Sequence, residues 1–280
     1  MANKAQLKVV GVDPASSQRK GSCSMYCDGN NFFSCKPERL KRLLKKDSLI
    51  DSILVCWDSP LLLYSEQDNV ADLTFTKRKL EVFLSGKDCP GDENERVNRH
   101  NKLKTPLGIN TQGFAAVQHW AISQYLLKYP DVASKEQGIS SKPFKLITSE
   151  AFKPKKPGKF LVEVHPAIAI WWWLEDNPSA KGDNFNGYRY KKNRHNVIDT
   201  EPNEMYKCVK RAIGDSMDEI GSDLPDENLI TTDGHLDAAV AYILGELWTK
   251  SEQVKLVGDR LSGAMLLPSP IQNFWNTFLG

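Results

Sequence analysis

The sequence predicts an α/β fold in which a mixed sheet is flanked by helices. Short β-branched or apolar runs alternate with longer stretches whose apolar residues recur at helical spacing. The dipeptide Asp28-Gly29, between two strand-like runs, is a strong hairpin signal. Two further runs, "SILVCWDSPL" and "KFLVEVHP", are largely apolar, which is typical of strands covered on both faces. Together these patterns indicate a central sheet with helices packed on it.

The first sixty residues predict a strand, a hairpin, a helix and another strand. "LKVVGVD" is a β-branched run that ends on an acid, and "SCSMYCDGNNFFSCK" has two strand-like halves around "DGNN". "PERLKRLLKKD" carries leucines at helical spacing, with Pro37 suited to a first helical turn. "SILVCWDSPL" then supplies the fourth predicted strand.

Residues 65–142 are predicted to be mainly helical, with "VADLTFTKRKLEVFLSG" and "TQGFAAVQHWAISQYLLKYP" as the two helices. "PFKLITSE" and "KFLVEVHP" follow and are predicted strands. Three more helices are predicted after them, in "AIAIWWWLED", "EPNEMYKCVKRAIG" and "TTDGHLDAAVAYILGELW". "GAMLLPSP" is typical of a last edge strand.

The composition favours an ordinary globular protein: 40% of the 280 residues are hydrophobic, 26% are charged, and the formal net charge is +2. This balance provides no global attraction to nucleic acid, so any such attraction has to come from local patches. No apolar run is long enough to cross a bilayer, and the first residues show no signal-peptide core. We therefore expect a cytoplasmic protein without membrane association, whose six cysteines are reduced thiols.

Acidic residues stand where three predicted strands end. Asp13, Asp58 and Glu163 each lie at the carboxyl end of a strand, where ligands and catalytic groups gather in an α/β sheet. If these strands are parallel neighbours, the carboxylates meet at one edge and raise one another's pKa. A divalent cation relieves that repulsion, and oxygen ligands suit Mg²⁺ or Mn²⁺.

A late helix offers two more acids. Asp233 and Asp237 are four residues apart and share one helical face, and the alanines after Asp237 allow a close approach to the sheet. Asp237 is therefore a candidate metal ligand, whereas Asp233 is a candidate ligand or an N-terminal cap. Each acid also has an ordinary alternative: a turn former for Asp13 and Asp58, and a buried pair with Arg or Lys for Glu163. His165, before a proline, has the alternative role of a structural hydrogen-bonding group.

The sequence also resembles a known family. The pieces "VVGVDPASS", "VCWDSPL", "LVEVHPAIAIWW", "NGYRYKK", "HLDAAVAYILGELW" and "GAMLLPSP" follow one another in the order and spacing of the family called domain of unknown function 429. Its members are predicted RNase H-like nucleases. The likeness extends over about residues 7 to 270, and it rests on the ordered set because no single piece is diagnostic.

The resemblance implies an RNase H-like mixed five-stranded sheet flanked by helices, with a helical insertion between the fourth and fifth strands. A single domain would span residues 1–280, and residues 65–142 would be the insertion. In this superfamily, acids from the first strand, the fourth strand and a late helix bind two metal ions. These acids correspond to Asp13, Asp58 and Asp237. The resolvase-like late helix has a second acid three residues before the last, and that position is Gly234 here.

The function implied is metal-dependent hydrolysis of phosphodiester bonds in DNA or RNA, with two Mg²⁺ or Mn²⁺ ions. The expected catalytic residues are Asp13, Asp58, Glu163 and Asp237, and Asp233 is a further expected metal ligand. Four residues are expected to contact the substrate: Arg78, which the resemblance places near the site, His165, Arg189 and Lys191.

Two other functions remain open. A nucleotide-binding phosphotransferase of the actin and sugar-kinase type would share the core topology, but "GVDPASSQRKG" lacks the dense Gly and Thr of its phosphate loops. A non-catalytic protein that binds nucleic acid is the other alternative, and retention of all the acids argues against it. The oligomeric state is not indicated by the sequence.

Overall fold

The structure is a computed structural model, which describes residues 7–14, 24–35, 52–61, 79–85, 92–94, 97, 144–192, 197–259 and 262–279. Most of the predicted insertion at 65–142 lies outside the described residues, including its second helix. The helix expected in "PERLKRLLKKD" also lies outside them. The part of the chain that is described forms an α/β structure in which helices flank a mixed sheet.

Six strands of the main sheet lie in the described residues: β1 (Lys8–Asp13), β2 (Ser24–Cys27), β3 (Phe32–Cys35), β4 (Ile53–Trp57), β5 (Lys145–Leu146) and β6 (Lys159–Glu163). Their order across the sheet is β3-β2-β1-β4-β6-β5. The first three strands are antiparallel neighbours, whereas β4 is parallel to β1 and β6 is parallel to β4.

The five-stranded sheet that the resemblance implies is wrong by one among the described residues. The sixth strand is β5, which confirms the strand predicted in "PFKLITSE" but is only two residues long, and it pairs in parallel with the outer side of β6. The backbone N–H of Ile147 extends this pairing by donating to the Leu161 carbonyl over 2.9 Å. A short edge strand of this kind satisfies backbone groups of β6 that would otherwise be unpaired at the sheet edge.

The predicted hairpin is confirmed. Asp28 and Asn31 close the turn between β2 and β3, with the Asp28 N–H donating to the Asn31 carbonyl and the Asn31 N–H donating to Asp28 Oδ1. Gly29 has a φ of +99°, a backbone conformation that residues with a Cβ rarely adopt.

The described helices are α1 (Lys79–Ser85), α2 (Pro166–Asp176), α3 (Pro202–Ile213), α4 (Ser216–Glu219), α5 (Asp233–Lys250) and α6 (Pro270–Leu279). The sequence predictions for α2, α3 and α5 are confirmed. The helix predicted in "VADLTFTKRKLEVFLSG" is confirmed over α1, and its earlier residues lie outside the described ranges. Pro166 and Pro202 begin their helices, as expected for a residue that lacks an N–H. No helix in the described ranges is long and apolar enough to cross a membrane.

A second, two-stranded antiparallel sheet lies near the end of the chain, formed by β7 (Val254–Asp259) and β8 (Gly263–Pro268). The prediction of a strand in "GAMLLPSP" is confirmed by β8, whereas β7 was not predicted. A single parallel bridge between Val164 and Leu266 joins β8 to the end of β6.

Helix α5 packs directly against the main sheet. A Cβ at Gly11 of β1 would lie 2.1 Å from the Ala238 carbonyl oxygen, and one at Gly245 would lie 2.5 Å from the Cys56 sulfur. The backbone of α5 can therefore approach β1 and β4 this closely only because both positions are glycine. Since Ala238 lies over Gly11 and Gly245 lies over Val9, α5 runs antiparallel to β1. Its first turns are thus placed at the carboxyl end of β1.

Candidate metal centre

Three carboxylates come together at the carboxyl ends of β1 and β4. One oxygen from each of Asp13, Asp58 and Asp237 lies within 4.8 Å of the others. Asp13 ends β1, Asp58 directly follows β4, and Asp237 belongs to the second turn of α5. The sequence-based prediction that these three acids meet is therefore confirmed by the structure.

The register of the sheet explains why Asp13 and Asp58 are neighbours. β1 and β4 are parallel, Val12 is paired with Trp57, and the Asp58 N–H donates to the Val12 carbonyl over 2.9 Å. The next residue of each strand is the acid, so both carboxylates reach the same edge. Their side chains lie on the face that α5 covers, because side chains alternate between faces and Gly11 of the same strand contacts α5.

The electrostatics of the three acids favour a bound cation. Burial raises the pKa of Asp13 to about 8, with further contributions from the charges of Asp237 and Asp233, while Lys191 acts in the opposite direction. Burial also raises the pKa of Asp58 well above its usual range, and Asp237 adds to this shift. Ionising these neighbouring acids together is therefore unfavourable in free energy. A bound divalent cation would offset that unfavourable charge repulsion.

Two side chains from the segment before α3 contact Asp237, which is only 1% exposed. The Tyr190 hydroxyl donates to Asp237 Oδ1 over 2.7 Å, and Lys191 Nζ lies 2.6 Å from Asp237 Oδ2. Burial together with the Asp237 charge raises the pKa of Tyr190 well above its usual value. For Lys191, burial is the largest single effect and lowers the pKa, but the combined attraction of Asp237, Tyr190, Asp58 and Asp13 outweighs it and the pKa is raised.

This contacting segment, residues 185–192, has no regular secondary structure and is held by side-chain and backbone hydrogen bonds. The Asp199 N–H donates to the Arg189 carbonyl over 2.7 Å, and the Thr200 hydroxyl donates to the Gly187 carbonyl over 2.7 Å. Thr200 Oγ1 also accepts a hydrogen bond from the Asn186 N–H. These bonds fix the backbone on the amino-terminal side of Tyr190, so its hydroxyl reaches Asp237 from a defined direction.

Glu163 lies outside the set of three acids, although its charge contributes to the raised pKa of Asp58. It is paired in register with Trp57, and Leu161, two residues earlier, packs with Trp57 and Val12 on the sheet face away from α5. Glu163 is 2% exposed, and its Oε2 accepts a hydrogen bond from the Leu61 N–H over 2.8 Å. This hydrogen bond attaches the residues that follow Asp58 to the end of β6. The expected catalytic role of Glu163 remains a prediction.

Asp233 also lies outside the set of three. It is the first residue of α5 and is exposed, and the side chain that caps the helix is that of Thr232, which accepts from the His235 N–H. The alternative of Asp233 as the cap is therefore wrong, because the chain enters the helix one residue earlier. Gly234 is the closer residue: a Cβ there would lie 3.0 Å from Asp13 Oδ2. A ligand role for Asp233 remains a prediction.

Three further residues were expected to contact the substrate: Arg189, His165 and Arg78. Arg189 is exposed, and its Nη1 lies 4.0 Å from Asp199 Oδ1, so its guanidinium is directed to Asp199 and not to Asp237. His165 is half-buried at the start of α2, where its carbonyl accepts from the N–H groups of Ile168 and Ala169. Arg78 lies outside the described residues, directly before α1. The proposed substrate roles of these three residues remain predictions.

The residues present fit a hard divalent cation. Within the described part of the chain, the donor set consists of carboxylate oxygens without thiolate or imidazole, and this chemistry suits Mg²⁺ or Mn²⁺ better than Zn²⁺. Tyr190 is a residue that sequence reasoning missed. Its quoted motif "NGYRYKK" contained the signal, but an irregular segment has no periodicity to indicate which side chains point inward.

Comparisons with known proteins do not extend this description. No protein-family model, no curated protein and no solved structure matches the chain. The likeness to the domain of unknown function 429 family therefore rests on the quoted motifs alone. What that likeness implies for the activity is a proposal, supported by the geometry of Asp13, Asp58 and Asp237.

Proposed function

We propose that this protein is a nuclease that hydrolyses phosphodiester bonds of DNA or RNA with Mg²⁺ or Mn²⁺, on an RNase H-like core. The observation that carries the proposal is the meeting of Asp13, Asp58 and Asp237, whose carboxylate oxygens lie within 4.8 Å of one another. These acids come from three separate elements of the chain, and their meeting is costly unless a cation is shared.

The strand order supports this assignment. The resemblance predicts three antiparallel strands followed by parallel ones, with acids on the first strand, the fourth strand and a late helix. In the described sheet, β1, β2 and β3 are antiparallel, and β4 is parallel to β1. Asp13 lies at the end of β1, Asp58 directly after β4, and Asp237 near the start of α5.

Each side chain of the site has a role that follows from its contacts. Asp13, Asp58 and Asp237 would hold the cation, and Tyr190 orients Asp237 through its hydroxyl. A divalent cation bound there would supply Lewis-acid charge to a phosphodiester and its attacking water. Lys191, whose side chain is 47% exposed, is the basic residue placed to meet a phosphate that approaches from solvent. Binding through such charges weakens steeply as salt increases.

A second candidate, a nucleic-acid-binding protein without catalysis, is favoured by one observation. Lys191 forms an ion pair with Asp237 and so compensates part of the negative charge without any metal. Such a protein would bind nucleic acid in the presence of a chelator and would bind Mn²⁺ no better than its acid-to-amide variants do. The phosphotransferase alternative would instead require nucleotide binding, which an ATP titration tests.

The deciding experiment combines metal binding with cleavage. We expect the purified protein to bind Mn²⁺ in a calorimetric titration and to cleave at least one of single-stranded, duplex or branched substrates when Mn²⁺ is added. Asp13→Asn and Asp237→Asn should abolish both properties, whereas Asp183→Asn, at an exposed acid outside the site, should retain them. Undiminished cleavage in both site variants would refute the proposal.

A further inference from the structure

Lys191 places its ammonium 2.6 Å from Asp237 Oδ2, beside the three acids. We propose that its ammonium takes the place of the second metal ion, so that Asp13, Asp58 and Asp237 bind a single divalent ion. This inference rests on the proposed function and makes it more specific. It departs from the two ions that the family resemblance implies.

The first support is the engagement of Asp237. Its Oδ2 lies 2.6 Å from Lys191 Nζ, and its Oδ1 accepts the Tyr190 hydroxyl over 2.7 Å. Each carboxylate oxygen has two lone pairs, so Asp237 can still offer one oxygen to an ion shared with Asp13 and Asp58. A second ion would need the other oxygen, and the ammonium already occupies that side.

The second support is the shortage of carboxylates. Position 234 lies directly beside Asp13, since a Cβ there would be 3.0 Å from Asp13 Oδ2. The residue at this position is Gly234, which offers no carboxylate. Glu163 lies with Trp57 on the opposite sheet face and bonds to the Leu61 backbone. Asp233 is exposed at the helix start. Among the described residues, the carboxylates close enough to share an ion are therefore the same three for either ion.

The third support is the charge of the site. Three ionised carboxylates and one ammonium leave two negative charges, which one divalent ion neutralises. A second divalent ion would leave the buried site strongly positive, at a large Coulombic cost in a medium less polar than water.

Contacts of the neighbouring residues also hold Lys191 in place. Its neighbour Tyr190 is 1% exposed and bonded to Asp237, and the backbone before it is fixed by Asp199 and Thr200. The Lys191 ammonium lies 5.7 Å from the centre of the Tyr190 ring, a favourable cation–π distance. The ammonium is therefore a permanent positive charge beside Asp237, available to a substrate phosphate without dissociating from the protein.

The test counts metal ions in the full chain by Mn²⁺ titration calorimetry and by electron paramagnetic resonance. We expect one Mn²⁺ per chain and an uncoupled Mn²⁺ spectrum for the unaltered protein and for Lys191→Arg, which keeps the charge. Lys191→Met should bind two ions and show the spin coupling of ions about 4 Å apart. Lys192→Met is the matched control, since Lys192 is the exposed neighbouring lysine, and it should bind one ion.

Three results would overturn the inference, and they are distinguishable. Two coupled ions in the unaltered protein would leave the nuclease proposal standing and remove the role of Lys191. A single ion in Lys191→Met, with a circular dichroism spectrum that shows normal folding, would do the same. No Mn²⁺ binding in the unaltered protein would refute the metal site itself, and with it the proposed function.

Discussion

Gly11 of β1 lies directly under Ala238 of α5, so closely that a Cβ on the glycine would be 2.1 Å from the Ala238 carbonyl oxygen. This contact places the residue before Ala238, Asp237, beside the end of β1, where Asp13 stands. The distance between strand and helix therefore controls the distance between two of the three acids. A side chain added at position 11 would separate them.

Gly11→Ala should accordingly lower both stability and metal binding. Because the new methyl group would press on helix backbone, we expect the free energy of unfolding to fall by about 1–3 kcal/mol, as for other overpacked cores. Urea unfolding and a Mn²⁺ titration would measure the two effects. Gly214→Ala is a suitable control, since Gly214 has a positive φ of 56° but nothing within 4 Å of the added Cβ. It should lose stability and bind Mn²⁺ normally; unchanged Mn²⁺ affinity in Gly11→Ala would contradict the argument.

Tyr190→Phe should weaken cation binding while the fold is retained. The substitution removes the hydroxyl that donates to Asp237 Oδ1, so the carboxylate loses a partner that holds its orientation. Removing a residue that is hydrogen-bonded to a metal ligand typically lowers metal affinity by a factor of about 10 to 100, and we expect a loss of Mn²⁺ affinity in this range. Tyr188→Phe is the matched control, because the Tyr188 hydroxyl bonds to Glu175 instead. An equal loss in both variants would show that the Asp237 contact is not responsible.

The stability of the metal-free protein should fall as pH rises. The pKa of Asp13 is raised to about 8 by burial and by Asp237, whereas an aspartate in an unfolded chain has a pKa of about 3.9. The folded state therefore prefers the protonated acid, and this contribution is complete below pH of about 4 and is lost as pH approaches 8. Urea midpoints measured in a chelator at several pH values would detect the decline.

Asp13→Asn supplies the control for this pH dependence, since an amide does not titrate and the decline should be smaller. Mn²⁺ should stabilise the unaltered protein more at pH of about 8 than at pH of about 5, because protons compete with the cation for Asp13. An equal decline in the unaltered protein and in Asp13→Asn would contradict the assignment of the pH dependence to Asp13.

Glu163→Gln should retain Mn²⁺ binding. The amide oxygen can still accept the hydrogen bond from the Leu61 N–H, and Glu163 lies on the sheet face away from α5. Glu163→Ala removes the acceptor and leaves a buried N–H without this partner, a change that typically costs about 1–3 kcal/mol. Titration calorimetry of the two variants would detect a role of Glu163 in Mn²⁺ binding, and urea unfolding would detect its role in stability. Loss of Mn²⁺ binding in a folded Glu163→Gln protein would instead assign Glu163 to the metal site.

Much of the fold followed from local patterns. The turn at Asp28-Gly29 was predictable because few residue pairs adopt the backbone conformation that a tight hairpin turn requires. Helices α2, α3 and α5 were predictable from the spacing of their apolar residues and from the prolines that begin two of them. β7 was not predicted, although "VKLVGD" has the same length and a similar pattern to β1. The strand predicted in "PFKLITSE" is only two residues long in the structure, where β5 pairs with β6.

The sequence by itself indicated that Asp13 and Asp58 would meet if their strands were parallel neighbours, because the carboxyl ends of such strands reach one edge of a sheet, and the structure shows that β1 and β4 are parallel neighbours. It also indicated Asp237, through small residues that allow α5 to lie close. Only the tertiary structure decided that Glu163 faces away and that Tyr190 and Lys191 complete the site. Strand register selects the face of a side chain, and an irregular segment is placed by hydrogen bonds distant in the chain, so neither is encoded in a local pattern.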